Sequence, residues 1–294
     1  MAGQLKEVRE RIKSVKSTQQ ITKAMKMVSA AKLRRATDAI VQMRPYASKL
    51  SEILNNILIS QEGALSSDLT QEREVRKVLI VLFTSDRGLC GGFNSNLFKR
   101  ANQLMAEKYA HLKKSDITIL AVGKKGQAYF SKTACPVNSN YVHLLANISF
   151  AAVSEAAEYV IEAFKNKEYD TVELVYGRFK NAAVQVFEAE PFLPLVKQPT
   201  GDIVHKSIPD FIFEPNKEQI ISELIPKILK TQFYKALLDT NASEHGARMT
   251  AMDKATENAE DMLKNLRISY NRARQAAITT ELTEIVSGAA ALQG

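Results

Sequence analysis

The sequence predicts an α/β protein in which a central α/β domain is carried by a long antiparallel coiled coil of the N- and C-terminal helices. Three observations predict it. Between Gly3 and Gly63 there is no glycine and a single proline, Pro45. Between Gly246 and Gly288 there is neither glycine nor proline. Between those stretches, short apolar runs alternate with glycine turns and helical patterns, as in a sheet with helix-covered faces. Globular helices average roughly 11–12 residues. At ~1.5 Å per residue the C-terminal stretch would reach ~100 Å and the N-terminal one ~85 Å, wider than a single-domain core. Two such helices at opposite ends of one chain most simply pair with each other, as a rod that transmits, spans or tethers.

The first helix is expected over 1–60. Leu5, Val8, Ile12 and Val15 follow a 3-4-3 step that fits a heptad seam. Beyond them the apolar positions thin to Ile21, Met25 and Val28 among alanines, and large side chains return at Leu50, Ile53, Leu54, Ile57 and Leu58. Pro45 is expected to bend the helix. Residues 1–49 carry twelve lysines and arginines against three acidic residues, so this helix holds an excess of +9 in a chain of net charge +8. A solvated basic face, nucleic acid, an anionic membrane surface or an acidic protein partner would each account for it.

The central domain is expected over 75–190, with Rossmann-like strand–helix alternation. Lys77 to Phe83 reads as a buried strand, followed by the turn-rich loop Thr84 to Phe93 and a helix from about Asn94 to Leu112. A strand over Ile117 to Val122 leads through Gly123-Lys124-Lys125-Gly126 to a short helix. A helix over Ser149 to Asn166 and strands over Thr171 to Phe179 and Val184 to Ala189 complete the block. Six prolines and glycines within 191–215 mark a linker. The last helix is expected over 216–287, with a strong stripe at Ile220, Ile221, Leu224, Ile225, Ile228 and Leu229 and a kink at Pro226. From Ser243 its seam is expected through Ala247, Ala251, Ala255, Asn258, Met262, Leu266, Ser269, Ala273, Ala276 and Thr280. A tail, 288–294, closes the chain. Ile285 to Gly294 carries no charged side chain, which suits an apolar socket.

Several functions are argued against. No run approaches the ~20 apolar residues of a membrane helix, and the N-terminus opens with charged residues rather than a signal core. Cys90 and Cys135 make no metal or redox spacing, and His111, His143, His205 and His245 form no ligand pair. The loop Asp86-Arg87-Gly88-Leu89-Cys90-Gly91-Gly92 sits between strand and helix, where phosphate cradles occur. However, its glycines do not match G-x-G-x-x-G, and Phe93-Asn94 stand where a Walker loop needs Lys and Ser or Thr. Cys90 has no histidine in its loop to act as its base. Lys124 and Lys125 stand at a helix start that suits an anion, or in a solvated turn. Glu257, Glu260 and Asp261 pair with nearby lysines on a helix surface. Arg267, Arg272 and Arg274, followed by Thr279, Thr280, Glu281 and Glu284, suit directional bonding to a partner.

The run Ile278 to Ala291 resembles the C-terminal signature of the gamma subunit of F-type ATP synthase, bacterial type. The run Ile12 to Arg35 is similar to that family's other end, and Ser85-Asp-Arg-Gly-Leu-Cys-Gly-Gly-Phe-Asn94 resembles its middle loop. The three motifs stand in the family's order, while 131–210 carries none. The resemblance implies a non-catalytic rotor shaft that turns inside a ring of three alpha and three beta subunits. Its α/β domain would sit at the foot, against the epsilon subunit and the c ring. Proton flow through that ring would be coupled to ATP synthesis or hydrolysis at the beta subunits. It implies stator contacts at Met25, Arg248, Arg274, Gln275 and Thr279, and a stator-facing loop at Asp86, Arg87, Gly88, Cys90, Gly91 and Gly92. It also implies no bound cofactor and a peripheral place on the cytoplasmic face of the bacterial inner membrane. Plant-type members carry a cysteine-bearing regulatory insert; no paired cysteines stand here to support thiol gating. Two alternatives make other predictions. A nucleic-acid-binding coiled coil predicts steeply salt-sensitive DNA binding. An α/β enzyme predicts saturable ATP binding by the isolated chain, and none is expected.

Overall fold

The structure, a computed structural model, describes residues 2–60, 69–71, 73–195 and 217–293. The elements run α1 (Ala2–Ser60), β1 (Val78–Phe83), α2 (Phe93–Lys108), β2 (Ile117–Val122), α3 (Lys124–Phe130), β3 (Val137–Asn138), α4 (Phe150–Lys165), β4 (Thr171–Phe179), β5 (Gln185–Leu193) and α5 (Lys217–Gln293). Pro45 lies within α1 and Pro226 within α5. The expected linker lies, from residue 196 on, outside the described residues.

The chain divides into two compact units. The terminal unit comprises Met1–Ser29 and Arg248–Gly294; the central unit comprises Ala30–Ala247.

The central unit is built on a five-stranded sheet of order β3-β2-β1-β4-β5. β1 pairs parallel with β2 and β4, β2 parallel with β3, and β5 closes the sheet antiparallel to β4. All six residues of β1, VLIVLF, are buried, as a central parallel strand covered on both faces requires. One face packs on α4 and α5 through Leu79, Val81, Phe83, Val153, Val160, Phe164, Leu229, Phe233 and Leu237. The other packs on α2 through Ile80, Leu82, Leu97, Ala101 and Leu104. β1 and β4 start level because Asp170 stands just before β4. Its carboxylate accepts the backbone N–H groups of Arg76 and Lys77, each at 2.9 Å, and its own N–H donates to the Lys77 carbonyl at 2.8 Å.

Two expected boundaries move, and one strand is unexpected. α2 ends at Lys108 rather than near Leu112, because Tyr109 leaves the helix and donates its hydroxyl to the buried Glu173 at 2.7 Å. Lys108 pairs with the same carboxylate. β5 runs past Ala189 to Leu193 and contains Pro191. An edge strand tolerates a residue without N–H, and the ladder shifts register at that point, between Val172 and Glu173. The two-residue strand β3 carries no apolar alternation for sequence reasoning to detect.

Within the central unit, Leu33, Ala36, Ile40, Met43, Ala47 and Leu50 of α1 are buried or half-buried at heptad spacing. Ala36 and Ile40 meet Leu238 and Ala242 of α5. From Ala236 to Gly246, α5 is buried on every side except at Asn241. Two close approaches allow this. A Cβ on Gly177 would stand 2.9 Å from the Phe93 ring and 3.4 Å from Ser243, and one on Gly246 would stand 3.2 Å from the Ala182 backbone.

Candidate functional site

The terminal unit is an antiparallel helix pair. Arg9 donates to the Tyr270 hydroxyl at 3.1 Å, Thr22 and Thr256 share a hydroxyl hydrogen bond of 2.8 Å, and Lys26 pairs with Asp253. Numbers rise on one strand of the pair as they fall on the other.

The seam begins where the sequence put it, at Leu5, Val8, Ile12 and Val15, and then departs from the apolar pattern. It continues at heptad spacing through Gln19, Thr22, Lys26 and Ser29. Ile21 and Val28 face outward, each 57% exposed, with Met27 beside them. On α5 the seam is Met252, Thr256, Ala259, Leu263, Leu266, Tyr270, Ala273, Ala277 and Thr280. Of the expected stripe, Leu266, Ala273 and Thr280 belong to it, whereas Asn258, Met262, Ser269 and Ala276 are exposed. Small and polar side chains carry so little period that the apolar residues nearest in sequence suggest the wrong face. Among the described residues, the middle of this coil is joined by hydroxyls and the Lys26–Asp253 pair beside the buried Met252, Ala259 and Leu263, while Ile21, Met27 and Val28 of α1 point away from the pair.

The proposed contact residues fall into two groups. Met25 is half-buried beside the Lys26–Asp253 pair, and Arg248 is buried at 8% exposure. Arg274, Gln275 and Thr279 are exposed, and the Thr279 hydroxyl donates to the Gln275 carbonyl at 3.0 Å, so those two share a face one turn apart. Every residue from 281 to 289 is exposed, including Leu282, Ile285 and Val286, the last two about two-thirds exposed.

The loop after β1 belongs to the central unit and is closed on itself. The Asn94 side chain accepts the Ser85 N–H at 3.0 Å and donates to the Ser85 hydroxyl at 2.7 Å and to the Cys90 sulfur at 3.2 Å. The Ser85 hydroxyl donates to the Arg87 carbonyl at 2.7 Å. Cys90 is thereby buried, while Leu89 and Gly91 adopt left-handed φ values of 62° and 58° and Leu89 projects outward, 65% exposed. Arg87, Gly91 and Gly92 are on the surface, and Asp86 and Gly88 are half-buried.

The same loop takes up the second glycine turn. At the start of α3 the N–H of Lys124 donates to the Asp86 carboxylate at 3.1 Å. The N–H of Lys125 donates to the Ser85 carbonyl at 3.1 Å, and that of Gly126 to the Thr84 hydroxyl at 2.9 Å. Those donors are spent within the fold, so the turn offers an anion no N–H cradle. A Cβ on Gly123 would stand 2.1 Å from the Thr84 carbonyl oxygen, so this glycine serves close backbone approach. The strand order reverses beside β1, where doubly wound sheets bind nucleotides. Here that crevice is filled by the protein itself. Phe93 and Ser243 close over Gly177, and the Ser243 hydroxyl donates to the Gly177 carbonyl at 2.9 Å. Among the described residues no group of His, Cys, Asp and Glu could hold a metal ion, and no helix is long and apolar enough to cross a membrane.

Sequence and structure comparisons agree with this architecture. A family model described as ATP synthase matches residues 4–292. The ATP synthase gamma chain of Cytophaga hutchinsonii is 55% identical over 290 residues, covering 98% of each chain. That of Flavobacterium johnsoniae is 51% identical over 290 residues and 99% of each. Among solved structures, a chain of the Euglena gracilis mitochondrial ATP synthase, in an assembly described as OSCP, F1 and c-ring, superposes with a TM-score of 0.68. It has 21% identity, over 99% of this chain and 95% of that one, so this likeness speaks for the fold. A chain of the Tetrahymena thermophila mitochondrial ATP synthase central stalk and c-ring superposes with a TM-score of 0.54 at 25% identity, over 80% of this chain and 99% of that one. With a full-length family match and relatives of about half identity, the chain belongs to the ATP synthase gamma chain family, the central-stalk subunit that is not itself catalytic.

Proposed function

We propose that this chain is the rotor shaft of a bacterial proton-translocating F-type ATP synthase. It turns inside the ring of alpha and beta subunits and couples proton flow through the c ring to ATP synthesis or hydrolysis at the beta subunits. The observation that carries this reading is the end of α5, where Leu282, Ile285 and Val286 stand exposed on a helix whose own seam has run out. An exposed apolar helical tip is unfavourable in water and favourable in an apolar socket, which a surrounding ring supplies. Arg274, Gln275 and Thr279 lie just before that tip and are placed to meet a catalytic-subunit loop. Met25 and Arg248 serve the collar, and the Asp86–Gly92 loop presents Leu89 to the stator. The epsilon subunit and the c ring meet the central unit. The chain binds no cofactor for chemistry of its own and works on the cytoplasmic face of the inner membrane.

Coupling through such a shaft is a population shift: each orientation must favour some beta conformations over others. A seam of small and polar residues leaves a slender pair whose outward side chains, rather than its interior, distinguish the orientations. Co-expression with alpha and beta subunits tests the assignment. One copy of this chain per hexamer is expected; equimolar association, or none, overturns it. The basic excess on α1 favours one rival, nucleic-acid binding. That reading requires DNA affinity that falls steeply with salt, and none is expected for the purified chain.

A further inference from the structure

The central unit contains a groove of about 770 Å³ that the shaft function does not use. Apolar side chains of Ile40 and Leu238 form part of its wall, and four charged residues from three elements line it: Arg44 of α1, Arg178 of β4, and Lys235 and Asp239 of α5. Asp239 is 3% exposed. Its carboxylate accepts the backbone N–H of Phe179, and Lys235, Arg44 and Arg178 all act on it electrostatically. Three cations therefore converge on one oxyanion. Among the described residues, two further charged groups nearby come from β5. Glu188 pairs with Arg178 at 2.7 Å, and Glu190 accepts the hydroxyl of the buried Tyr176 at 2.8 Å. Of the residues that line the groove, three cations face the single carboxylate of Asp239, while Glu188 and Glu190 are engaged with Arg178 and Tyr176.

We propose that this groove binds a small dianionic oxyanion of the phosphate or sulfate type, gripped by Arg44, Arg178 and Lys235, with Asp239 taking up a proton as the ligand enters. Two guanidinium forks and an ammonium suit tetrahedral oxyanions. The groove has room for the ligand beside the existing carboxylate. Burial pushes the Asp239 carboxyl up to about 6 in spite of its three cationic neighbours. It is thus the group that can surrender its negative charge from solvent protons when a second anion competes for the same cations. Binding and proton uptake are then linked, and affinity rises as pH falls through that range.

Sulfate is the probe, because its charge is constant between pH 5.5 and 7.5. The full-length chain is titrated at constant ionic strength set with chloride, by calorimetry in buffers of different ionisation enthalpy. Saturable binding is expected, tightening toward low pH, with proton uptake approaching one per sulfate at pH 7.5 and falling toward pH 5.5, where the Asp239 carboxyl is already largely protonated. Arg44→Gln and Lys235→Gln each remove a charge-assisted contact and should weaken it about tenfold. Arg34→Gln, on an exposed stretch of α1, should not. Asp239→Asn, nearly isosteric, should bind sulfate at least as tightly at pH 7.5 and lose both the proton uptake and the pH dependence. Equal responses from all the arginine and lysine variants would mean an adventitious ion only and overturn the proposal, as would an unchanged pH dependence in Asp239→Asn. Binding to phosphatidic acid vesicles without binding to free sulfate would overturn the soluble ligand.

Discussion

The two stretches of α5 that lie in the two units use the same helical geometry for opposite ends. From Ala236 to Gly246 the helix is surrounded, and just before that stretch Phe83 and Phe192 pack against Phe233 with ring centroids 5.1 and 6.1 Å away. From Glu257 to Thr280 only one residue in three or four is covered, by side chains as small as Ala259, Ala273 and Ala277. Burial of a large apolar side chain stabilises by ~1.5–3 kcal/mol, whereas an alanine offers little area to bury. The difference teaches that the central unit holds itself together through large buried side chains, while the terminal pair has far less of its own to hold it.

Amide hydrogen exchange on the free chain should break or confirm that contrast most sharply. Protection over 231–247 is expected to exceed that over 257–287 on the order of a thousandfold or more. Equal protection would end the comparison. Phe233→Ala should lower the stability of the central unit by ~3–5 kcal/mol in denaturant unfolding, and leave the exchange of 257–287 unchanged. Gly177→Ala forces the Phe93 ring or Ser243 to shift and should cost ~1–3 kcal/mol; a neutral result would mean that α5 is not seated tightly on the sheet.

The next prediction concerns Asp239, whose carboxyl is raised from 3.8 to about 6. Between these values the folded chain binds more protons than the unfolded one. Its contribution to stability is therefore largest below about pH 4 and is lost as pH rises to about 6. Relative to Asp239→Asn, the native protein should lose about 2 kcal/mol across that window, read from unfolding midpoints at each pH. The smallest effect is expected in the terminal unit. The Lys26–Asp253 pair has both side chains more than 40% exposed, so a double-mutant cycle with Lys26→Gln and Asp253→Asn should give less than ~1 kcal/mol.

Much of the fold was legible because its signals are local. β2 and β4 begin and end where apolar, β-branched runs placed them, and the absence of glycine and proline announced α1 and α5. The coil seam was not legible past Val15. Helical pairing there is set by Thr22 against Thr256 and Lys26 against Asp253, contacts that no apolar period encodes. The glycine turns were visible, but their purpose was not: Gly123 and Gly126 make room for Thr84, which lies on another strand's end. Asp239 reads in sequence as one more polar residue on a helix. Its meeting with Arg44 and Arg178, which line the same groove, is made only by the tertiary fold.

The carboxylate of Asp170 sets an origin for the sheet. By gripping the chain at Arg76 and Lys77 it fixes which residue of β1 lies opposite which residue of β4. A slip of one position would turn every side chain of β1 to the opposite layer. In the proposed rotor, twisting load would call for strands indexed against sliding, and a single acidic side chain at the mouth of the sheet would act as that detent.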